Sequence, residues 1–198
     1  VESAAGIWRD HPRLQEVTNA INRLQSTIGS AISKVRELCE KHAYYEAMTR
    51  LGDIGYGKDA TLLRNEVESA VKNADELIGK AKLAKDANKQ IDYYMQALSI
   101  CSDCSAAKEK LQLTPPAAPA SIKAEVKGNI IHIEWSKQES QYIQYLVIRK
   151  ANGRPSRHDD GEVICETLNS AVDDTKPVAG VSYYYAVYCK CGDILSKQ

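Results

Sequence analysis

A chain of 198 residues with 43% apolar side chains can bury an ordinary core, as one large domain or two small ones. Its 26 basic and 26 acidic residues cancel, and they cancel in each half: 16 of each precede Pro115 and 10 of each follow it. Neither half has the basic excess that nucleic acid or an anionic membrane surface demands, and no apolar run approaches the roughly 18–20 residues of a membrane span.

The start at Val1, with no signal segment, reads as a processed piece of a longer protein. Residues 1–113 read as all-α. Leu14, Val17, Ile21, Leu24, Ile28, Ala31, Val35 and Leu38 keep a 3-4 spacing, and His42 and Tyr45 extend it. Such a repeat gives one apolar seam along a long helix of coiled-coil type. Pro12 suits the first turn of that helix, and Gly29 is a soft spot inside it. Three glycines between Gly52 and Gly57 break the pattern, and Asp59 is placed to cap the next helix.

A second seam runs through Leu63, Val67, Ala70, Ala74, Leu77, Ala81, Ala84, Ile91, Met95 and Leu98, with Asn88 as its polar member. Two long helices around a short loop predict an antiparallel hairpin, and a third helix is expected over Ser105–Leu111. The stretch from Tyr93 to Ala107, with a turn at Ser102-Asp103, resembles the helix–turn–helix junction of a tetratricopeptide repeat. Tyr44-Tyr45-Glu46-Ala47-Met48 echoes it about fifty residues earlier, not at the family's 34-residue period. Either description makes this half a helical scaffold.

Thr114 to Ala120 holds three prolines in five residues and is expected as a short, semi-rigid linker over 114–120. From Ser121 to the end the signal changes to alternation. Ile122, Ala124 and Val126 share one face of a first strand, Gly128-Asn129 turns the chain, and Ile131, Ile133 and Trp135 share one face of a second. Tyr145, Val147 and Arg149 mark a third, and a polar loop follows over Asn152–Gly161. Val163 with Cys165, then Val172, then Tyr183 with Tyr185 and Val187 mark the rest, and Ile194 and Leu195 leave little for a last strand. About seven short strands at this spacing argue for a β-sandwich over 121–198.

The set formed by Trp135, the strand Tyr145–Arg149 and the Pro177-to-Tyr183 turn resembles the fibronectin type III family, a variant of the immunoglobulin-like sandwich. The resemblance implies that Trp135 is the central core residue. It also implies that the hydroxyl of Tyr183 bonds back to nearby backbone as a tyrosine corner. It implies as well that the strands of Tyr145 and Tyr183 are neighbours in one sheet. The residues alternating with their inward faces, Leu146, Ile148, Tyr184, Ala186 and Tyr188, then lie together on the outer face. An apolar patch of that size is a candidate interface unless the helical region or the linker covers it.

Nothing in the chain signals catalysis. Cys101-x-x-Cys104 and Cys189-x-Cys191 lack the flanking pattern of a zinc or redox site. The acidic run His158–Glu162 lacks calcium-loop spacing, and the glycines of 52–57 lack the ending of a phosphate loop. His11, His42, His132 and His158 are scattered. No catalytic, metal or cofactor residue is therefore expected. The foremost reading is a non-enzymatic protein-interaction or scaffold fragment with a protein partner. Two others stay open: a spacer, adhesive or carbohydrate-binding region of a secreted or surface protein, and a regulatory tail of an intracellular enzyme. Trp8, the tryptophan outside the expected core, is little aromatic surface for stacking sugars. Six cysteines without a dense disulfide framework favour a cytoplasmic setting, and the fibronectin-like resemblance favours a secreted or surface one.

Overall fold

The computed structural model describes residues 12–55 and 57–197. Trp8 and His11 lie outside them. Among the described residues five helices precede seven antiparallel strands: α1 (Pro12–Glu40), α2 (Tyr44–Gly52), α3 (Lys58–Leu83), α4 (Ala87–Ile100) and α5 (Ser105–Gln112), then β1 (Lys123–Lys127), β2 (Ile130–Glu134), β3 (Gln144–Ala151), β4 (Glu162–Thr167), β5 (Ala171–Asp174), β6 (Tyr183–Cys191) and β7 (Ile194–Leu195). Among the described residues no helix is long and apolar enough to cross a membrane.

The expected two-helix hairpin is broken in two further places. The first seam does not run on through His42 and Tyr45, because α1 ends at Glu40. His42 takes a left-handed φ of 56°. The His42 N–H is donated to Cys39 O at 2.9 Å and the Ala43 N–H to Leu38 O at 2.8 Å, the paired bonds of a Schellman stop. The second seam is cut after Leu83. Asp86 accepts the Lys89 N–H at 2.9 Å as the N-cap of α4, and so starts a new helix. Asp59 is not a cap. It sits inside the first turn of α3, where its charge still suits the helix dipole.

The residues divide into two compact units, the first reaching Ala74 and including Ser99–Cys104, the second comprising Asp75–Leu98 and everything from Ser105. In the first unit Val35, Ala47, Leu51, Ile54, Leu63, Val67, Val71, Cys101 and Cys104 are buried. The turn after α4 grips the α1–α2 corner. Ser102 donates its N–H to His42 O and its hydroxyl to Lys41 O, both at 2.8 Å. Asp103 accepts the N–H groups of Tyr45 (3.3 Å) and Glu46 (2.8 Å). No side chain next to α2 caps it, so a carboxylate 57 residues away in sequence does so.

In the second unit the strands form two sheets, ordered β1-β2-β5 and β4-β3-β6-β7. The β1–β2 turn is the expected one: Lys127 pairs with Ile130, and Gly128 supplies a φ of 64°. Ile133, Trp135, Ile143, Tyr145, Val147, Val187, Cys189 and Cys191 form one buried cluster with Ile91 of α4, and Met95 and Leu111 pack against it. The indole of Trp135 lies 5.2 Å from the Tyr145 ring. Helix and strands thus share a core across the proline segment. Pro116 and Pro119 are buried. Ala117 donates its N–H to Asn88 Oδ1 at 3.0 Å, and Asn88 Nδ2 donates to Gln138 at 2.7 Å. Ser140 bonds to Asp92 of α4. Strand β1, by contrast, is exposed along its whole length, Val126 included.

Two consequences can be measured by denaturant unfolding. Asp103→Ala removes the distant cap and is expected to lower stability by about 1–2 kcal/mol, whereas Asp103→Asn, which keeps an acceptor, retains most of it. Trp135→Ala is expected to cost about 3–5 kcal/mol, and a value near zero would show that the indole is not central to the core.

Candidate interaction surfaces

At 1.5 Å per residue, the 29 residues of α1 extend for roughly 43 Å. Its C-terminal third enters the first unit's core through Val35 and Leu38. Its N-terminal two thirds do not. Val17 is 51%, Leu24 62% and Ile28 43% exposed, with Leu14 and Ile21 half-buried beside them. Five successive seam positions therefore face solvent in whole or part. Thr18 and Thr27 turn their hydroxyls back to the carbonyls of Leu14 and Arg23, and add no charge to this strip. All five residues are legible in the sequence as a heptad seam. Their exposure is not, because heptad spacing alone fits a seam packed within the hairpin as well as one left open to another helix.

The outer-sheet patch behaves in the opposite way. β3 and β6 do pair, with Leu146 opposite Tyr188, Ile148 opposite Ala186 and Lys150 opposite Tyr184. Leu146, Ile148, Ala186 and Tyr188 nonetheless form a buried cluster, with Leu195 against it, and Tyr184 alone of the five stays exposed, at 40%. The Asn152–Gly161 loop, which reads in sequence as a solvated turn, lies against this face. Gly161 sits so close that a Cβ there would be 2.7 Å from Ile148 Cγ2. Lys150 Nζ holds Asp160 at 2.6 Å, and Asp160 in turn accepts from the N–H and hydroxyl of Ser156, each at 2.7 Å. Those bonds keep the Asp160 carboxyl well below the usual range. Burial raises the Tyr188 hydroxyl, the carboxylates of Asp159 and Asp160 add to this, and among the described residues that hydroxyl has no hydrogen-bond partner.

A polar cluster bridges the two sheets. Arg149 of β3 donates to both carboxylate oxygens of Asp174 in β5, at 2.9 and 3.1 Å, to Lys176 O at 3.1 Å, and to Glu162 of β4. Tyr185 donates to Asp174 at 2.7 Å, and the guanidinium lies 4.8 Å from the Tyr183 ring centre. Burial pushes the Asp174 carboxyl upward, but bonds from Tyr185, the Lys176 N–H and Arg149 outweigh it and hold the group below its ordinary value. Burial and the bond to Asp174 push the Tyr185 hydroxyl well up. With these groups paired to one another, the cluster clamps β3, β4 and β5 together.

Among the described residues no group of three or more His, Cys, Asp or Glu side chains is placed to hold a metal ion. Cys101 and Cys104 are buried in the first unit, and Cys189 and Cys191 in the second. Burial pushes the Cys189 thiol up to about 11, so it stays protonated and unreactive near neutral pH.

No family model matches the chain, and no curated protein matches it. Two solved structures show a local likeness. One is pectate lyase PelI from Erwinia chrysanthemi, in complex with tetragalacturonic acid, at 22% identity over 39% of this chain and 26% of that one, with a TM-score of 0.31. The other is titin kinase with its flanking domains, at 17% identity over 42% of this chain and 15% of that one, with a TM-score of 0.35. The match thus spans only a minor part of either structure, and neither likeness bears on fold or function.

The clamp has a pH signature. Because the folded Asp174 carboxyl is depressed, its contribution is complete above its unfolded pKa, near 3.9, and is lost as pH falls through the lower folded value. Asp174→Asn is expected to lose about 3 kcal/mol at neutral pH, since it uncouples a buried pair. Its deficit relative to wild type should shrink below about pH 4, as followed by urea midpoints across an acid titration.

Proposed function

We propose that this chain is a non-enzymatic interaction or scaffold module. In this reading α1 offers an apolar seam to another helix, and the strands form a fibronectin type III-like sandwich that serves as spacer or docking module. One observation carries it: a heptad-spaced strip on α1 that the described residues leave largely uncovered, with Leu24 62% exposed. Supporting the sandwich are the strand order of the two sheets and their shared core around Trp135. The Tyr183 hydroxyl also accepts the Val178 N–H at 3.3 Å, the bond expected of a tyrosine corner. The satisfied Arg149–Asp174 clamp and the buried thiols favour structure over chemistry at the polar sites.

The test is affinity capture from native extract with the chain and with Val17→Asp/Leu24→Asp, both at exposed positions. A partner retained stoichiometrically by wild type and lost by the variant is expected. Equal retention by both, or none by either, would overturn the reading.

A further inference from the structure

Resting on the docking role given to the strands above, and not on the α1 seam, we propose that the second unit takes up an extended peptide of another protein as an added strand on the open side of β6.

In an antiparallel ladder successive residues point their backbone groups to alternate sides. The bond from the Asn152 N–H to Ser182 O faces β3, and the bond from the Ser196 N–H to Cys189 O faces β7, both at 2.8 Å. Counting in twos along β6, Tyr184 and Ala186 serve β3, whereas Tyr183 and Tyr185 turn their N–H and C=O groups the other way. β7 does not reach these two, since it pairs with Lys190 and Cys191. Among the described residues their backbone groups have no partner. An unpaired edge of this kind is a template for one more strand.

A side-chain face lies open on the same flank. β4 and β5 close the opposite flank, where Glu162–Ile164 and Val172–Asp174 line one small cleft. The strand orders then set β1 across from the open side of β6. Ala124 and Val126 are the register partners of Ile133 and Ile131, so they face the interior with them. Neither is buried, and Val126 is 72% exposed. Val126 and Ile131 line a groove with Val178, Ala179 and Val181, which lead into β6.

Two conditions define the occupant. Its backbone must be extended to pair with β6, and its alternate side chains must be apolar to lie over β1. At roughly 3.4 Å per residue, about four or five residues span the free edge. Edge-to-edge pairing with β6 of a second copy meets the first condition only, because the inward residues of that strand, Val187 and Cys189 among them, are held in its own core. A peptide strand with alternating apolar residues meets both.

The test is amide hydrogen exchange of the purified chain, read residue by residue by NMR. It is made on the chain alone and with a short synthetic peptide of alternating valine and threonine carrying lysine at each end. Alone, the Tyr183 and Tyr185 amides are expected to exchange about tenfold or more faster than those of Tyr184 and Ala186, relative to their intrinsic rates. The peptide should slow them to the rates of their neighbours. A peptide of the same composition with its valines and threonines in two blocks should not. Val126→Asp, at an exposed position, should leave the thermal melt unchanged and abolish the protection. Slow exchange at Tyr183 and Tyr185 in the chain alone overturns the proposal, because the edge is then already covered. So does an alternating peptide that leaves them fast, or one that protects them equally in Val126→Asp. Protection that appears without peptide as the chain is concentrated gives the edge to a second copy and overturns it as well. None of these results bears on capture through α1, which Val17→Asp/Leu24→Asp reads separately.

Discussion

The second unit depends on a helix completing a core that its sheets cannot close. β1 buries none of its residues, so the three-stranded sheet contributes little more than Ile131, Ile133 and Val172 to the interior. Ile91, fully buried among Trp135, Tyr145 and their neighbours, fills the remainder. Burying one such side chain stabilises by about 1.5–3 kcal/mol, more than the single hydrogen bonds around it contribute. Those bonds, in which Asn88 donates to Gln138 and accepts from the Ala117 N–H while Asp92 accepts from the Ser140 hydroxyl, set the helix in register over the strands.

Within that unit the two sheets are joined by different physics at different places. Around Trp135 and Ile91 the joint is apolar and tolerant of small shifts. At Arg149 and Asp174 it is a buried ion pair with a fixed geometry. Its worth lies less in net stability than in the penalty for breaking it, since either charge left alone in the interior would be strongly unfavourable. Asp103 plays a comparable specifying part in the first unit. The start of α2 at Tyr44 has no cap from its own neighbours, and the turn at Ser102-Asp103 supplies one.

Two apolar surfaces of similar sequence strength meet opposite fates. The outer face of β3 and β6 is closed by a loop from its own sheet, through Gly161 and the Lys150–Asp160 pair. Among the described residues no such loop covers the strip on α1, and its seam enters the core only from Ala31 onward. Alternation and heptad spacing state which residues share a face. They do not state what lies over that face, because the covering element is set by contacts distant in the chain.

The helical character of the first half, the strands of the second, the Gly128-Asn129 turn and the outward partners of β3 and β6 were all legible in sequence, because each follows from a local period or a local backbone preference. Among the interaction candidates, Leu146 and Tyr188 were read as sharing the outer face of their sheet, with cover by the chain itself left open beside a partner. Val17, Leu24 and Ile28 were read as a seam that either packs within the hairpin or recruits another helix. The helix breaks at His42 and after Leu83 rest on local bonds, from the Ala43 N–H to Leu38 and from the Lys89 N–H to Asp86, that heptad spacing does not register. Tertiary structure alone decided the joining of α4 to the strands and which apolar face stayed open, because each turns on burial between residues far apart in the chain, and no local pattern encodes the loop closure that brings them together.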